Sequence, residues 1–302
     1  MMRRRFPIPT RKAPPRYEYA PPPRRRVRQN AGALVGMIVL AVVVGMVLLA
    51  PWLAPYDPLV MDPPAQLQPP SRVHWAGTDL FGRDLFSRLL FGGRTSLLVG
   101  GVAVFIALLP GMLLGLLAGY HGRRVDGLIM AIMDVMLAFP SILLAMLVVS
   151  VTGRGLWNVM LAVGVASIPA YTRLVRGQVL VVRKRPYVRA AIAVGCSTAR
   201  VIFRHILPNL LSSLVVMATL NVGWAILNAS ALSFLGMGVQ PPWPEWGAML
   251  KEGREFLRQA PWLTVFPGLA LALVVLSINL VGDGLRDTLD PRLAYRPRTR
   301  RR

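Results

Sequence analysis

Five stretches of this chain carry no formal charge: Ala33 to Leu53, Ser96 to Tyr120, Leu156 to Thr172, Leu210 to Ala231 and Pro261 to Val281. A sixth, Gly127 to Val151, carries only Asp134. Crossing ~30 Å of hydrocarbon takes about 20 helical residues. A lone spanning segment satisfies its own backbone only as a helix. The runs therefore predict an all-α polytopic membrane protein with six transmembrane helices. Hydrophobic residues make up 54% of the chain and charged residues 16%, a balance that excludes an ordinary soluble enzyme.

The formal charge of +22 would suit a nucleic-acid binder if it were spread along a soluble surface. Its distribution argues otherwise. With six spans and the N-terminus inside, 27 of the 35 Lys and Arg fall on the inner side and 8 on the outer, where seven acids nearly cancel them. Such asymmetry is what fixes membrane topology. The excess is thus topological, both termini are expected in the cytoplasm, and the basic tails face anionic lipid headgroups rather than nucleic acid.

Residues 1–30 mix Arg clusters with Pro and cannot build a core, so they read as a disordered cytoplasmic tail. The run after them is too long for a signal-peptide core and reads as an uncleaved anchor. A transmembrane region follows over 31–293, and 294–302 form a second basic tail. After the first span, a loop rich in Pro (Pro51 to Pro70) leads into Gly77-Thr78-Asp79 and Gly82-Arg83-Asp84. There Phe81, Leu85 and Leu89 share one helical face and Asp84 and Arg88 another, which predicts a helix on the membrane surface with local ion pairs.

Asp134 sits in a span, where a carboxylate marks a pathway or an internal pair. Pro140 should kink that helix. Asn221 and Asn228 are seven apart and share a face of the fifth span, with Ser230 nearby. They are candidates to line a water-filled path, or to bond between helices. From Arg173 onward the chain turns basic. Ala190 to Ala193 favour helix, Gly195 supplies a left-handed turn, Ser197 or Thr198 caps a short second helix to about His205, and Pro208 opens another.

The segment about 185–208, with Tyr187, Arg189, Ala190, Ala191, Gly195, Leu207 and Pro208, resembles the "EAA" loop of binding-protein-dependent ABC importer permeases. The strings Gly77-Thr78-Asp79, Gly82-Arg83-Asp84 and Ser87-Arg88, then Asp134 to Pro140, Leu232 to Leu250 and Asn279 to Leu293, are similar to segments of the dipeptide/oligopeptide/nickel branch, C-type permease subunit. The likeness covers roughly Gly32 to Leu293. Two departures are Arg189, where the family has Glu, and Ala229, where relatives often carry Glu.

The resemblance implies a cytoplasmic helix-turn-helix that docks on a separate ATPase. It also implies a homologous second permease, two ATP-binding subunits or domains, an extracytoplasmic solute-binding protein, and a bacterial or archaeal cytoplasmic membrane. ATP and Mg would be used by the partner ATPase, with no cofactor bound by this chain. The chain has no phosphate-binding loop: its only lysines are Lys12, Lys184 and Lys251, and none follows a Gly. His74, His121 and His205 lie apart, so neither a metal site nor a catalytic triad is expected. The other class kept open is a proton-coupled secondary transporter using Asp134, although the broken-helix repeats of such proteins are not evident.

Overall fold

In the computed structural model, residues 31–289 are described; the two tails and the end of the C-terminal signature lie outside them. The first helix, α1 (Ala31–Leu48), is followed by the short α2 (Ala50–Leu53) and an irregular Pro-rich loop. Then come α3 (Leu85–His121), α4 (Arg123–Leu137), α5 (Ser141–Thr152), α6 (Leu156–Val182), α7 (Pro186–Ala193) and α8 (Thr198–Arg200). A wide π turn (Val201–Ile206) joins α8 to α9 (Leu207–Phe234), and α10 (Trp246–Gly253) and α11 (Trp262–Leu289) complete the chain. No strand occurs among the described residues.

Small residues set the packing of the bundle. A Cβ at Gly111, Gly115 or Gly119 of α3 would come within 2.5, 2.6 and 2.7 Å of Tyr171, Val175 and Val179 of α6. Glycine is what lets the two backbones meet here. The numbers rise together, so α3 and α6 run parallel. Elsewhere Gly36 of α1 admits Leu280 of α11, and Gly282 of α11 admits Leu220 of α9. Outward faces such as Ile38, Val42, Phe105 and Leu269 stay apolar and exposed, as a bilayer solvent requires.

Parallel α3 and α6 oblige the chain between them to return across the bundle. Among the described residues five helices are long and apolar enough to cross alone; α4 and α5, which meet at a 92° bend, make a sixth if the pair counts as one span. The expected kink at Pro140 is therefore a break. Residues Ala138 to Pro140 leave the helix, and Pro140 provides the extended residue from which α5 starts. Asp126 reaches Arg176 and Asp134 reaches Arg173. Eight residues of α4 are thus matched by three of α6, and α4 crosses α6 obliquely.

The predicted surface helix at Phe81 to Leu89 is not formed. Residues 77–84 make a tight turn with a bridge between Thr78 and Asp84, and Asp84 caps α3 by accepting from the Ser87 N–H at 2.8 Å. Helix therefore begins at Leu85 and continues without interruption into the second span. Its charged residues are buried rather than laid on a surface. Arg83 and Arg88 are each 1% exposed; both contact Asp79 and both donate to Glu252 at 3.2 Å. This group knits the Pro-rich loop, α3 and α10 into one cap.

Candidate functional site

At the opposite end from the cap, α7 opens with Pro186 in its first turn, where a missing N–H costs nothing. Its C-terminus closes on Gly195, whose φ is +82°. The Gly195 N–H donates to the Ile192 carbonyl and the Cys196 N–H to the Ala191 carbonyl, the paired bonds of a left-handed helix end. Ser197 then caps the following turn, its hydroxyl accepting from the Arg200 N–H.

The second arm of this elbow does not stop before Pro208, as the sequence reading expected. Residues 198–234 form one continuous helix. The π turn absorbs Pro208: the Leu207 N–H reaches back to the Ile202 carbonyl, and the widened turn makes room for the ring. The elbow is thereby joined to α9 without a hinge loop.

The elbow has two faces. Val188, Val201, Ile202 and Ile206 are buried and continuous with the core that holds Val179 and Val182, and Ala191 is buried beside them. Tyr187, Arg189, Ala190, Ile192, Val194, Phe203 and Pro208 point outward, Val194 being 82% exposed, while Leu207 is half-buried. The elbow thus presents an exposed, partly apolar surface on a stem continuous with α9.

The candidate path residues are not brought together. Asp134 is exposed near the elbow end, in an ion pair of 2.6 Å with Arg173. Asn221 is a polar neighbour of the Tyr171 hydroxyl, which is buried and makes no hydrogen bond of good geometry. Asn228 turns back on its own helix, donating to the Trp224 carbonyl at 2.9 Å. Ser230 is buried at the cap end and donates to Glu245 at 3.4 Å.

Glu245 is the residue the sequence reading passed over. It is buried, and its oxygens accept from the Gly247 and Ala248 N–H groups, the Ser96 hydroxyl and the Ser230 hydroxyl. One carboxylate thus joins α10, α3 and α9. Its capping of α10 is local, but the bonds that reach α3 and α9 are not: those partners lie at |i−j| of 149 and 15. Among the described residues no group of three or more His, Cys, Asp or Glu could hold a metal ion.

The family described as binding-protein-dependent transport system inner membrane component matches residues 111–295, and the N-terminal TM domain of oligopeptide transport permease C matches residues 24–70. The chain is 48% identical over 269 residues to the dipeptide transport system permease protein DppC of Alkalihalophilus pseudofirmus, covering 89% of this chain and 88% of that one. It is 49% identical to the di/tripeptide transport system permease protein DppC of Pseudomonas aeruginosa, covering 87% and 89%. It is 47% identical to the glutathione transport system permease protein GsiD of Pectobacterium atrosepticum, covering 89% and 90%. In fold it is similar to a chain of the inward-facing MetNI methionine ABC transporter, with a TM-score of 0.55 at 19% identity, over 70% of this chain and 98% of that one. The elbow, the parallel glycine-packed helices and these matches lead to one assignment: the chain belongs to the binding-protein-dependent transport system inner membrane component family, as an ABC importer permease of its dipeptide/oligopeptide branch.

Proposed function

We propose that this chain is one of two homologous permease subunits of an importer for short peptides, a cargo supported by its near-half identity to dipeptide and di/tripeptide permeases. It works without catalytic residues or a cofactor of its own. ATP and Mg are handled by two ATP-binding subunits or domains, one of which docks on the elbow, and an extracytoplasmic solute-binding protein delivers cargo to the cap. In this reading the elbow end faces the cytoplasm, as the excess of Arg and Lys around it favours, and the membrane is the cytoplasmic one.

The observation that carries the reading is the two-faced elbow. Its inner side belongs to the core and its second arm is the start of α9, so a push on Tyr187 or Val194 is delivered to a membrane-spanning helix with little loss. Asn221 and Asn228 stand in α9 between elbow and cap, which supports their place beside the moving path. Proton coupling through Asp134 has less support, because its carboxylate is committed to Arg173 at the surface.

Purification of the assembled transporter, reconstitution in vesicles and identification of the bound solute by mass spectrometry test the cargo. Uptake that follows ATP hydrolysis by the co-purified subunit is the expected result. Uptake driven by a proton gradient without nucleotide would overturn the coupling.

A further inference from the structure

Helix α9 with its lead-in is about 55 Å long at ~1.5 Å per residue, and it is held differently along its length. Near the cap it is clamped. A Cβ at Gly100 of α3 would lie 2.5 Å from Ile226. A Cβ at Gly247 of α10 would lie 2.6 Å from the Ser230 Cα, and Gly238 abuts Ser233. Across this junction Glu245 Oε1 accepts from Ser96 of α3 at 3.2 Å, from Ser230 of α9 at 3.4 Å and from the Gly247 N–H at 2.8 Å. Trp246 completes the joint: its backbone N–H donates to Ser96 Oγ and its indole N–H to the Leu89 carbonyl.

Farther from the cap the same two helices flank a groove. Val104, Leu108 and Met112 of α3 face Leu211, Val215, Ala218 and neighbouring residues of α9 across an apolar groove of about 330 Å³. The pairing is antiparallel, so Gly100 meets Ile226 while Leu108 stands opposite Ala218 with open space between. The two helices are thus clamped near the cap and flank a groove farther along. The joint is polar, buried and directional; the opening is lined by apolar side chains and by Thr219, whose hydroxyl donates to the Val215 carbonyl of its own helix.

We propose that Glu245 is a positioning residue for transport: it pins the cap end of α9 to α3, so that a push at the elbow swings the other half of α9 across the α3–α9 groove. This rests on the reading of the elbow as the ATPase docking site. A buried carboxylate suits a fulcrum because hydrogen bonds tolerate small rotations while fixing position. It draws on two N–H groups and two hydroxyls, and no salt bridge to it is found among the described residues. Three of its four bonds fall on Oε1, with only the Ala248 N–H on Oε2. Glu245→Gln can therefore retain most of these bonds, whereas Glu245→Ala loses all four and leaves only the Trp246 bonds and the packing.

The experiment uses the complete transporter with a cysteine pair, Leu108→Cys and Ala218→Cys, in a Cys196→Ser background. A short bis-maleimide is applied in the nucleotide-free and the ATP–Mg–vanadate-trapped states. The expected result is a cross-link yield that differs at least threefold between the two states. Glu245→Gln should preserve that difference. Glu245→Ala, or Ser96→Ala with Ser230→Ala if the single variant does not fold, should reduce it to less than half while ATPase subunits still co-purify. A yield independent of nucleotide, or a difference that survives removal of the Glu245 joint, overturns the pivot alone. Absence of any co-purifying ATPase with the unaltered elbow overturns the docking reading, and the pivot with it.

Discussion

Gly115 lies against Val175, with room for hydrogen and no more: a Cβ on Gly115 would stand 2.6 Å from the Val175 Cβ and 2.7 Å from the Thr172 carbonyl oxygen. Gly101, on the same helix, has nothing within 4 Å of that position. Gly115→Ala should therefore destabilise the bundle by about 1–3 kcal/mol through overpacking. Gly101→Ala should be neutral or stabilising by up to ~1 kcal/mol from helix propensity. Apparent unfolding temperatures of the two variants in detergent decide it, and equal shifts would contradict the close approach of α3 and α6.

The two ion pairs that hold α4 on α6 differ in geometry. Arg176 donates through Nε and a terminal nitrogen to both oxygens of Asp126, at 2.5 and 2.7 Å. Arg173 donates once to Asp134, and those side chains are 51% and 61% exposed. A double-mutant cycle on Asp126 and Arg176 should give a coupling of about 1 kcal/mol. The cycle on Asp134 and Arg173 should give under ~0.5 kcal/mol because solvent screens it. The reverse order in thermal denaturation would show that α4 is fixed by other contacts.

At the elbow, Gly195→Val places a β-branched side chain at φ +82°, a backbone conformation it adopts poorly. The expected outcome is loss of most ATPase co-purification with membrane insertion unchanged. ATPase retained at the level of the unsubstituted chain would remove the turn from the docking surface.

Replacing Asn221 and Asn228 together by Leu should lower radiolabelled peptide uptake several-fold without changing ATPase association. Asn221→Leu also takes away a polar neighbour of the Tyr171 hydroxyl. Uptake equal to that of the unsubstituted transporter would end the pathway role of this face.

In the cap, Glu252 is the shared acceptor of Arg83 and Arg88, two guanidinium groups that are otherwise sealed from water. Glu252→Ala should cost of the order of 3 kcal/mol, because it strands buried charge while Asp79 alone remains to answer both. Reduced yield of folded protein and faster proteolysis of residues 49–84 are the measurements. Unaltered protease resistance would mean that the cap does not depend on this carboxylate.

Much of the architecture was legible in the sequence because hydrocarbon imposes a length and forbids charge, and uncharged runs record both. The same rule misplaced the ends of several helices. Arg88 and Arg94 interrupt the apolar run before Ser96, yet α3 begins at Leu85, because Asp79 and Glu252 pair with Arg88 and the carbonyls of Val47 and Leu48 accept from Arg94. Likewise α6 runs on to Val182 past Arg173 and Arg176, whose partners are Asp134 and Asp126. A charge ends a span only when nothing answers it. Gly195 was readable from local chemistry, since a positive φ selects glycine. Glu245 was not, because its role exists only once Ser96 and Ser230 have been brought beside it.

Arg94 has a further consequence for α1. Its guanidinium donates to the Val47 and Leu48 carbonyls, groups that the end of an α-helix leaves without partners, while Gly36 seats the same helix against Leu280. The first helix is therefore no detachable anchor. Severed from the rest, it would uncover a furrow along α11 and strand a cation in the bilayer, so the N-terminal segment and the remaining bundle have to be inherited, exchanged or engineered as a unit.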